Sequence, residues 1–340
     1  MNTNRIMNVS IIGCGIIHGK HAETLSKSRY TRLVSVVDIN EERARESAEK
    51  YGCKYYTDYM EMMKDSSVDA VHICTPHYLH APMAIEAMKK GKHVLTEKPM
   101  GISVHAAKEM LKISEETGKR LGVCFQNRYN NTSQRIKELL DSGTAGRVIG
   151  AKAFVTWHRD EKYYTESGWR GTWEKEGGGV LINQSIHTLD LLQWFLGDMD
   201  RIKGNTSTNL LSGIIEVEDT ADAVIGFKSG AAALFYATNC YTANSPVQIE
   251  IICENAVFRL DNDLTITYRD GRTESVSEDG TGSGEKAYWG ESHKRLIEDF
   301  YIKLLEGRSF PVDGKQGITA LMMIEKIYAS SKNREFVSFE

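Results

Sequence analysis

Met7-Asn-Val-Ser-Ile-Ile-Gly-Cys-Gly-Ile-Ile-His-Gly19 runs from an apolar stretch through two closely spaced glycines into a helical pattern. The run Met7–Ile12 has the length and composition of a buried strand. Gly13 and Gly15 sit where a strand must turn sharply into a helix. Bare backbone at such a turn lets a pyrophosphate approach the helix N-terminus. The third position of the dinucleotide fingerprint is His18, with Gly19 one residue later, so G-x-G-x-x-G is not completed. A tight strand-to-helix turn without a ligand would use the same two glycines. Asp38 bears on the choice because it follows the next strand, Arg32–Val37, 23 residues after Gly15. A ribose-binding acid is expected about 20 residues on, where its carboxylate holds ribose hydroxyls and repels a 2′-phosphate, favouring NAD over NADP. The alternative for Asp38 is a solvated acid capping the helix that follows.

Outward from this turn, strands and helices alternate. Ile17–Ser28 reads as a helix, Glu41–Tyr51 as an exposed helix, and Asp69–Cys74 as a strand halted at Thr75-Pro76. Ala81–Lys90 reads as a helix ending at Gly91, and His93–Thr96 as a strand stopped by Glu97-Lys98-Pro99. Ser103–Thr117 is helical and Arg120–Phe125 is another strand. This alternation predicts a doubly wound parallel sheet with helices on both faces. Ligands of such sheets bind beyond the carboxyl ends of the strands. The unusual residues gather there: Gly13 and Gly15, Asp38, Thr75-Pro76-His77, and Glu97-Lys98-Pro99. The chain has 5 prolines, and two of them fall at these strand tips.

The composition is that of a soluble globular protein, with 41% hydrophobic and 26% charged residues in a chain of 340, long enough for two domains. Lysine and arginine total 42 against 46 acidic residues, so nothing favours nucleic acid or an anionic membrane as partner. No apolar run approaches a bilayer span, and the N-terminus lacks a signal-peptide core, so a cytoplasmic location is expected. The 6 cysteines are scattered without Cys-x-x-Cys spacing; they read as reduced thiols, with no structural metal expected.

After Phe125 the pattern changes, giving an expected division into residues 1–126 and 127–340. Thr132–Ser142 reads as a helix and Val148–Thr156 as a strand, followed by a segment dense in aromatic and charged residues. Gly177-Gly-Gly then leads into Val180–Leu196, which fits an amphipathic helix with Asn183, His187 and Asp190 on one face. Asn183 could instead cap a helix, His187 could be a satisfied interior histidine, and Asp190 either orients His187 or forms a salt bridge. Met199–Thr267 is strand-rich, with Asp219–Phe227, Ala231–Ala237, Val247–Ile252 and Ala256–Leu260 alternating in a way that suggests an open, mostly antiparallel sheet. Gly271–Gly284 reads as an exposed loop, and helices over Ser292–Leu305 and Ile318–Ser331 close an α+β second domain.

Gly13-Cys-Gly15 with His21, Asp38, Thr75-Pro76-x-x-x-His80, Glu97-Lys98-Pro99, Trp169-Arg170, and Gly177-Gly-Gly with His187 and Asp190 resemble the Gfo/Idh/MocA oxidoreductases. The resemblance implies a Rossmann domain and a C-terminal domain whose open sheet packs on a second subunit, as homodimer or homotetramer. The implied reaction moves a hydride between nicotinamide and a ring carbon of a sugar or cyclitol. Implied cofactor contacts are Gly13, Gly15, Ile16, Ile17, Asp38, Thr75, Pro76, His77, His80, Glu97, Lys98, Trp169 and Arg170. Implied substrate contacts are Lys98, Asn127, Arg159, Tyr163, Trp169, Asn183 and His187. Lys98 carries over as acid/base, with His187 assisting. Asn183 stands where many members carry aspartate; an amide holds a hydroxyl but takes no proton, so base chemistry falls to Lys98 or His187.

His158, Arg159, Tyr163, Tyr164 and Trp169 suit a polyhydroxylated ring, while Arg159 or Arg170 could accept a uronate carboxylate. The same segment could equally be a packed linker. Two other functions use the same residues. One is a redox-neutral glycosidase that oxidises, eliminates and re-reduces; the other is a dinucleotide-binding regulator without turnover.

Overall fold

The structure, a computed structural model, describes residues 5–278 and 291–339. The chain forms two compact units, Met1–Gln126 with Ser292–Ile318 and Asn127–Glu291 with Thr319–Glu340. The chain first passes from one unit to the other at 126/127. The expected second range of 127–340 is too broad, because Ser292–Ile318 packs with the first unit. Phe300 and Tyr301 are fully buried there, and Val123 N–H donates to Val312 O at 3.0 Å.

The first unit alternates β1 (Met7–Ile12), α1 (His18–Lys27), β2 (Thr31–Val37), α2 (Glu41–Tyr51), β3 (Lys54–Tyr56), α3 (Tyr59–Met63), β4 (Ala70–Ile73), α4 (His77–Lys89), β5 (His93–Thr96), α5 (Val104–Thr117) and β6 (Leu121–Val123). All six strands are parallel, in the order β3-β2-β1-β4-β5-β6. This is the dinucleotide-binding order, with its switch point between β1 and β4. Val9, Ile11, Val36, Val71, Ile73, Val94 and Leu95 are wholly buried, as strands covered on both faces require. Register pairs Ile12 with both Val37 and Ile73, and Ile73 with Thr96. The segments beginning at Gly13, Asp38, Cys74 and Glu97 therefore leave the sheet along one edge.

α4 starts at His77, four residues before the expected Ala81, with Pro76 in the N-cap position. Pro82 lies inside the helix, one residue after the expected start. It removes one backbone donor but leaves the preceding turn intact. His77 and His80 are thereby helical.

The second unit holds a 3₁₀ turn (Gln126–Tyr129, starting at the boundary), α6 (Asn131–Asp141), β7 (Val148–Thr156), α7 (Glu161–Thr165), α8 (Ile186–Leu196), β8 (Met199–Ser207), β9 (Thr220–Phe227), β10 (Ala232–Thr238), β11 (Gln248–Cys253), β12 (Ala256–Asp261), β13 (Asp263–Tyr268) and β14 (Thr273–Val276). α9 (Ser292–Glu306) belongs to the first unit, α10 (Gly314–Asn333) starts there, and β15 (Val337–Ser338) ends the second. The nine-stranded sheet runs β14-β13-β12-β11-β7-β10-β9-β8-β15, antiparallel except for β7 with β10.

Two expectations change here. Thr273–Val276 is a strand on β13, not part of a loop, whereas residues 279–284 of that expected loop lie outside the described residues. The helix expected from Val180 starts at Ile186. All six cysteines are free thiols. Among the described residues no helix is long and apolar enough to cross a membrane.

Candidate functional site

At the strand-end edge of the first unit, Gly13 has φ +98°, and a Cβ there would lie 2.6 Å from Cys74 O. Only glycine fits between β1 and β4 in that conformation. A Cβ on Gly15 would meet nothing within 4 Å, so that glycine leaves open space in front of α1. The N-cap of α1, Ile17, supplies no side-chain hydrogen bond; His18 and Lys20 N–H turn back to Gly15 O and Ile17 O at 3.2 and 3.1 Å, which leaves the positive end of the helix dipole and the bare glycine backbone facing that space. Asp38 braces the turn: its carboxylate accepts Cys14 N–H at 2.8 Å and Asn40 N–H at 2.9 Å. A carboxylate has about four acceptor directions, so two bonds do not exhaust it. Ile16 and Ile39 beside it are 71% and 95% exposed, apolar surface suited to a flat ring. Thr75 Oγ1 is buried on the same edge without a hydrogen-bond partner. These features fit a dinucleotide: a bare turn for pyrophosphate, an acid for ribose, and an unmatched hydroxyl for a polar ligand group.

His80 lies behind this edge, buried, with Nδ1 2.7 Å from Pro99 O and Nε2 2.8 Å from Thr75 O. It ties the segment after β4 to the segment after β5. Burial lowers its pKa, partly opposed by the two carbonyl oxygens. Glu97 is likewise buried. Its Oε1 is 3.0 Å from His21 Nε2 and 3.5 Å from His293 Nε2, and its Oε2 accepts Lys98 N–H at 3.2 Å. Burial alone would raise this carboxyl, but the hydrogen bonds and charges of His21 and His293 outweigh it and hold the pKa well below the usual range. The chain of contacts continues from His21 Nδ1 to His72 Nδ1 at 2.8 Å and from His72 Nε2 to Tyr301 OH at 2.8 Å. Lys98 follows Glu97 directly and is half-buried.

His21, Glu97 and Cys124 bring three donor atoms within 4.8 Å, the spacing of a metal site. Both His21 ring nitrogens already serve His72 and Glu97, and burial drives the Cys124 thiol well above its ordinary pKa. A metal needs a thiolate and a bare imidazole nitrogen. The cluster is built as a hydrogen-bond network around Glu97.

In the second unit the glycine run meets Glu218. A Cβ on Gly179 would fall 1.8 Å from Glu218 O, so backbone runs against backbone. The buried Glu218 carboxylate accepts Gly179 N–H at 3.0 Å, Leu181 N–H at 2.9 Å and Tyr328 OH at 2.9 Å. Val180 N–H goes to Glu218 O at 3.0 Å. These are donors that a helix beginning at Val180 would leave without an intrahelical partner, so Glu218 caps the start of this segment. Asn183 N–H reaches Gly179 O at 3.1 Å, but Ser185 N–H and Oγ both go to Val180 O at 2.9 Å, so residues 180–185 form turns, although their apolar side chains are buried. Burial pushes Glu218 up to about 7 against the pull of its donors.

Asn183 sits in those turns and is half-buried. Its Nδ2 donates to Glu176 Oε1 at 2.6 Å and to Tyr163 OH at 3.2 Å. Tyr163 OH also accepts Gln184 Nε2 at 3.0 Å, and Asn239 Nδ2 bridges Gln184 Oε1 and Tyr164 OH at 3.1 and 2.8 Å. The Arg170 guanidinium lies 4.3 Å from the Tyr163 ring centre and 4.8 Å from that of Trp169, with Arg159 5.2 Å from Tyr163. Arg159 is also held by Asn244 Oδ1 at 2.9 Å. Half-buried His187 is the second residue of α8, and half-buried Asn127 lies in the 3₁₀ turn.

Asp190, one of whose open roles was to orient His187, forms a two-pronged ion pair with Arg128 (Nε–Oδ2 2.8 Å, Nη2–Oδ1 2.6 Å). Gly13, Gly15, Ile16, Ile17, Asp38, Thr75, Pro76, His77, His80, Glu97 and Lys98 all belong to one edge of the first unit. Arg159, Tyr163, Trp169, Arg170 and Asn183 gather in the second. Glu176, Glu218, Gln184, Asn239 and Arg128 were missed. The signal for the first was its place immediately before Gly177-Gly-Gly.

Residues 7–125 match the Gfo/Idh/MocA oxidoreductase family, NAD-binding Rossmann fold, and residues 133–259 match the Gfo/Idh/MocA C-terminal domain. The chain is 34% identical to the inositol 2-dehydrogenase of Rubrobacter xylanophilus over 55% of this chain and 52% of that protein, about half the relative's length. It is 25% identical to the myo-inositol 2-dehydrogenase of Thermotoga maritima over 97% of this chain and 96% of that one. Among solved structures, the WlbA dehydrogenase of Bordetella pertussis, in complex with NADH and UDP-GlcNAcA, matches with a TM-score of 0.86 at 27% identity over 99% of each chain.

Proposed function

The chain belongs to the Gfo/Idh/MocA oxidoreductase family, and on that footing we propose that it is an NAD-dependent dehydrogenase acting on a ring carbon of a sugar, sugar derivative or cyclitol. The observation that supports this best is the turn after β5. Lys98 leaves the same sheet edge as Gly13 and Asp38, on a segment anchored by Glu97 and His80. Two relatives named as inositol dehydrogenases and one structural neighbour holding NADH and a UDP-sugar favour this substrate class.

Bound NAD⁺ supplies the hydride acceptor. Gly13, Gly15 and the α1 N-terminus hold its pyrophosphate, and Asp38 takes the ribose hydroxyls and disfavours a 2′-phosphate. Oxidation of an alcohol requires that the hydroxyl proton leave as the hydride does. Lys98 takes that proton as general base, worth roughly 10²–10⁴-fold in rate. His187 assists in proton exchange or holds a hydroxyl, and Asn183 binds a neighbouring hydroxyl without taking its proton. A second copy of the chain covers the outer face of the nine-stranded sheet, where Val224, Leu234 and Ile252 are 45%, 48% and 42% exposed, giving a homo-oligomer.

The test is a panel of myo-inositol, glucose, glucuronate and p-nitrophenyl glucoside with NAD⁺ or NADP⁺, read as NADH formation and nitrophenol release. Lys98→Met should abolish NADH formation while NADH still binds. Wild-type turnover in that variant would end the assignment, and nitrophenol release without net NADH would replace it with a redox-neutral glycosidase.

A further inference from the structure

We propose that Glu176 is the positioning residue of the substrate end: its carboxylate fixes the Asn183 amide so that the carbonyl oxygen is presented as the acceptor for a substrate hydroxyl. The inference deepens the dehydrogenase reading and rests on it for the identity of the ligand. It starts from hydrogen-bond valence. Glu176 is fully buried, and each of its oxygens faces an N–H donor, Gly171 N at 2.5 Å on Oε2 and Asn183 Nδ2 at 2.6 Å on Oε1. Only an ionised carboxylate offers acceptors on both sides; an amide of the same length offers one. Asn183 Nδ2 also faces Tyr163 OH, a hydroxyl that can accept this bond, so the carboxylate selects the amide orientation and the hydroxyl is compatible with it. The reverse orientation would set a carbonyl oxygen 2.6 Å from a carboxylate oxygen. Asn183 Oδ1 is thereby fixed on the opposite side of the amide plane.

This arrangement gives a reason for asparagine at this position. Aspartate at 183 would meet Glu176 carboxylate to carboxylate, and one of the two would have to keep a proton. The negative charge of this end of the site sits on Glu176, behind a neutral reader. Such a reader prefers a ligand hydroxyl that donates, and it discriminates against an O-methyl or deoxy group there. Burial pushes Glu176 up to about 7, so the lock loosens as the carboxylate takes a proton near neutrality. The groups facing it are Arg170, which favours the ionised form, and Glu218, Tyr163, Tyr164 and Tyr328.

The polarity can be exchanged. In Glu176→Gln, the new amide can accept Gly171 N–H only by turning its own NH₂ toward the NH₂ of Asn183. In Asn183→Asp, two carboxyls oppose each other. In the variant carrying both substitutions, the introduced glutamine amide accepts from Gly171 N–H and donates to the introduced aspartate carboxylate, so every one of these contacts is satisfied again. The full chain is compared as wild type, both singles and the double by thermal melting. Each single should melt about 4–8 °C lower, and the double should recover most of that loss. A double that melts no higher than the lower single would overturn the pairing. KM and kcat are then measured with NAD⁺ and the panel compound turned over fastest. Glu176→Gln should raise KM about tenfold or more with kcat less affected and NADH affinity unchanged. An unchanged KM in the face of a melting loss would reduce Glu176 to a structural residue and refute the positioning role. If the wild type oxidises nothing in the panel, the dehydrogenase reading fails, while the melting cycle still decides the pairing.

Discussion

Asp190→Asn should unfold the second unit well below the wild-type temperature, although it changes one atom. Arg128 and Asp190 are 3% and 1% exposed, and two parallel N–H···O contacts of 2.8 and 2.6 Å join them. The guanidinium also lies 5.4 Å from the Trp194 ring centre, so water has little access to it. Burial holds the Asp190 carboxyl above the ordinary carboxylate range even with Arg128 beside it, which means that forming this pair in the interior is itself costly. Breaking it is costlier. Asparagine keeps one acceptor for Arg128, turns an NH₂ at the other nitrogen and takes the negative charge of Asp190 away from a buried cation. Removing one partner of such a pair costs about 3–5 kcal/mol. In a unit of this size each kcal/mol lowers the melting temperature by about 2–4 °C, so the expected drop is roughly 6–20 °C. The control is Arg128→Met with Asp190→Leu, which removes both charges at similar volume and should fall within about 1–2 kcal/mol of wild type. Urea unfolding of the three proteins at one pH, followed by tryptophan fluorescence, measures this. A single variant within about 1 kcal/mol of wild type, or a double as damaged as the single, would refute the reasoning.

Three further outcomes follow from other contacts. Asp38→Ala removes the acceptor for Cys14 and Asn40 N–H and should weaken NADH binding about tenfold, roughly 1.4 kcal/mol, while narrowing the gap between NADH and NADPH; fluorescence titration that finds neither change would count against Asp38 as the ribose residue. Gly179→Ala puts a methyl group into the Glu218 backbone and should give little soluble protein, so a wild-type melting curve would show that this contact is not tight. Glu218 has its folded pKa raised from 4.5 to about 7, so the native state holds the proton more tightly than the unfolded one. Its contribution is therefore fully present below about pH 4.5 and is lost as pH rises through 7, with a slope of up to about 1.4 kcal/mol per pH unit. Melting from about pH 5 to 7.5 should decline less steeply in Glu218→Gln, and identical slopes would exclude Glu218 as a source.

The parts of this fold that could be read from the sequence are those governed by local rules. α2 spans Glu41–Tyr51 and β5 His93–Thr96 as composition and stop signals require, because Asn40 caps one and Thr96 precedes the Glu-Lys-Pro break in the other. β7 occupies the expected Val148–Thr156. The misreadings arose where contacts outside the local pattern decide the conformation. Val180, Leu181 and Ile182 carry a helical apolar pattern, but Ser185 N–H and Oγ take Val180 O five residues back, so the turns do not run on as regular helix into α8. Thr273–Val276 is polar and lies among glycines, and it is a strand because β13 presents an edge to it. Ser292–Ile318 returns to the first unit because Phe300 and Tyr301 find their cavity beside β6 and His72, which no local pattern announces.

The same distinction separates the site residues that the sequence displayed from those it concealed. Lys98 and Asn183 stand in conspicuous motifs, Glu-Lys-Pro and the segment after Gly-Gly-Gly, and each is half-exposed where a ligand can reach it. The residues that set their geometry are buried carboxylates, Glu97 beside Lys98 and Glu176 beside Asn183, and neither is identifiable without its partners. Glu97 acquires its low pKa from histidines 76 positions before it and nearly 200 after it; Glu176 acquires its role from a backbone turn five residues back and an amide seven residues on. A buried carboxylate is tolerable only when every oxygen is met by a donor, so each one specifies its surroundings more strictly than an exposed side chain does. Substitutions at the visible residues should thus change chemistry and leave the fold standing, whereas substitutions at the hidden carboxylates should disturb stability and substrate affinity together. Lys98→Met and Glu176→Gln separate the two cases directly, since only the second should shift both the melting temperature and KM.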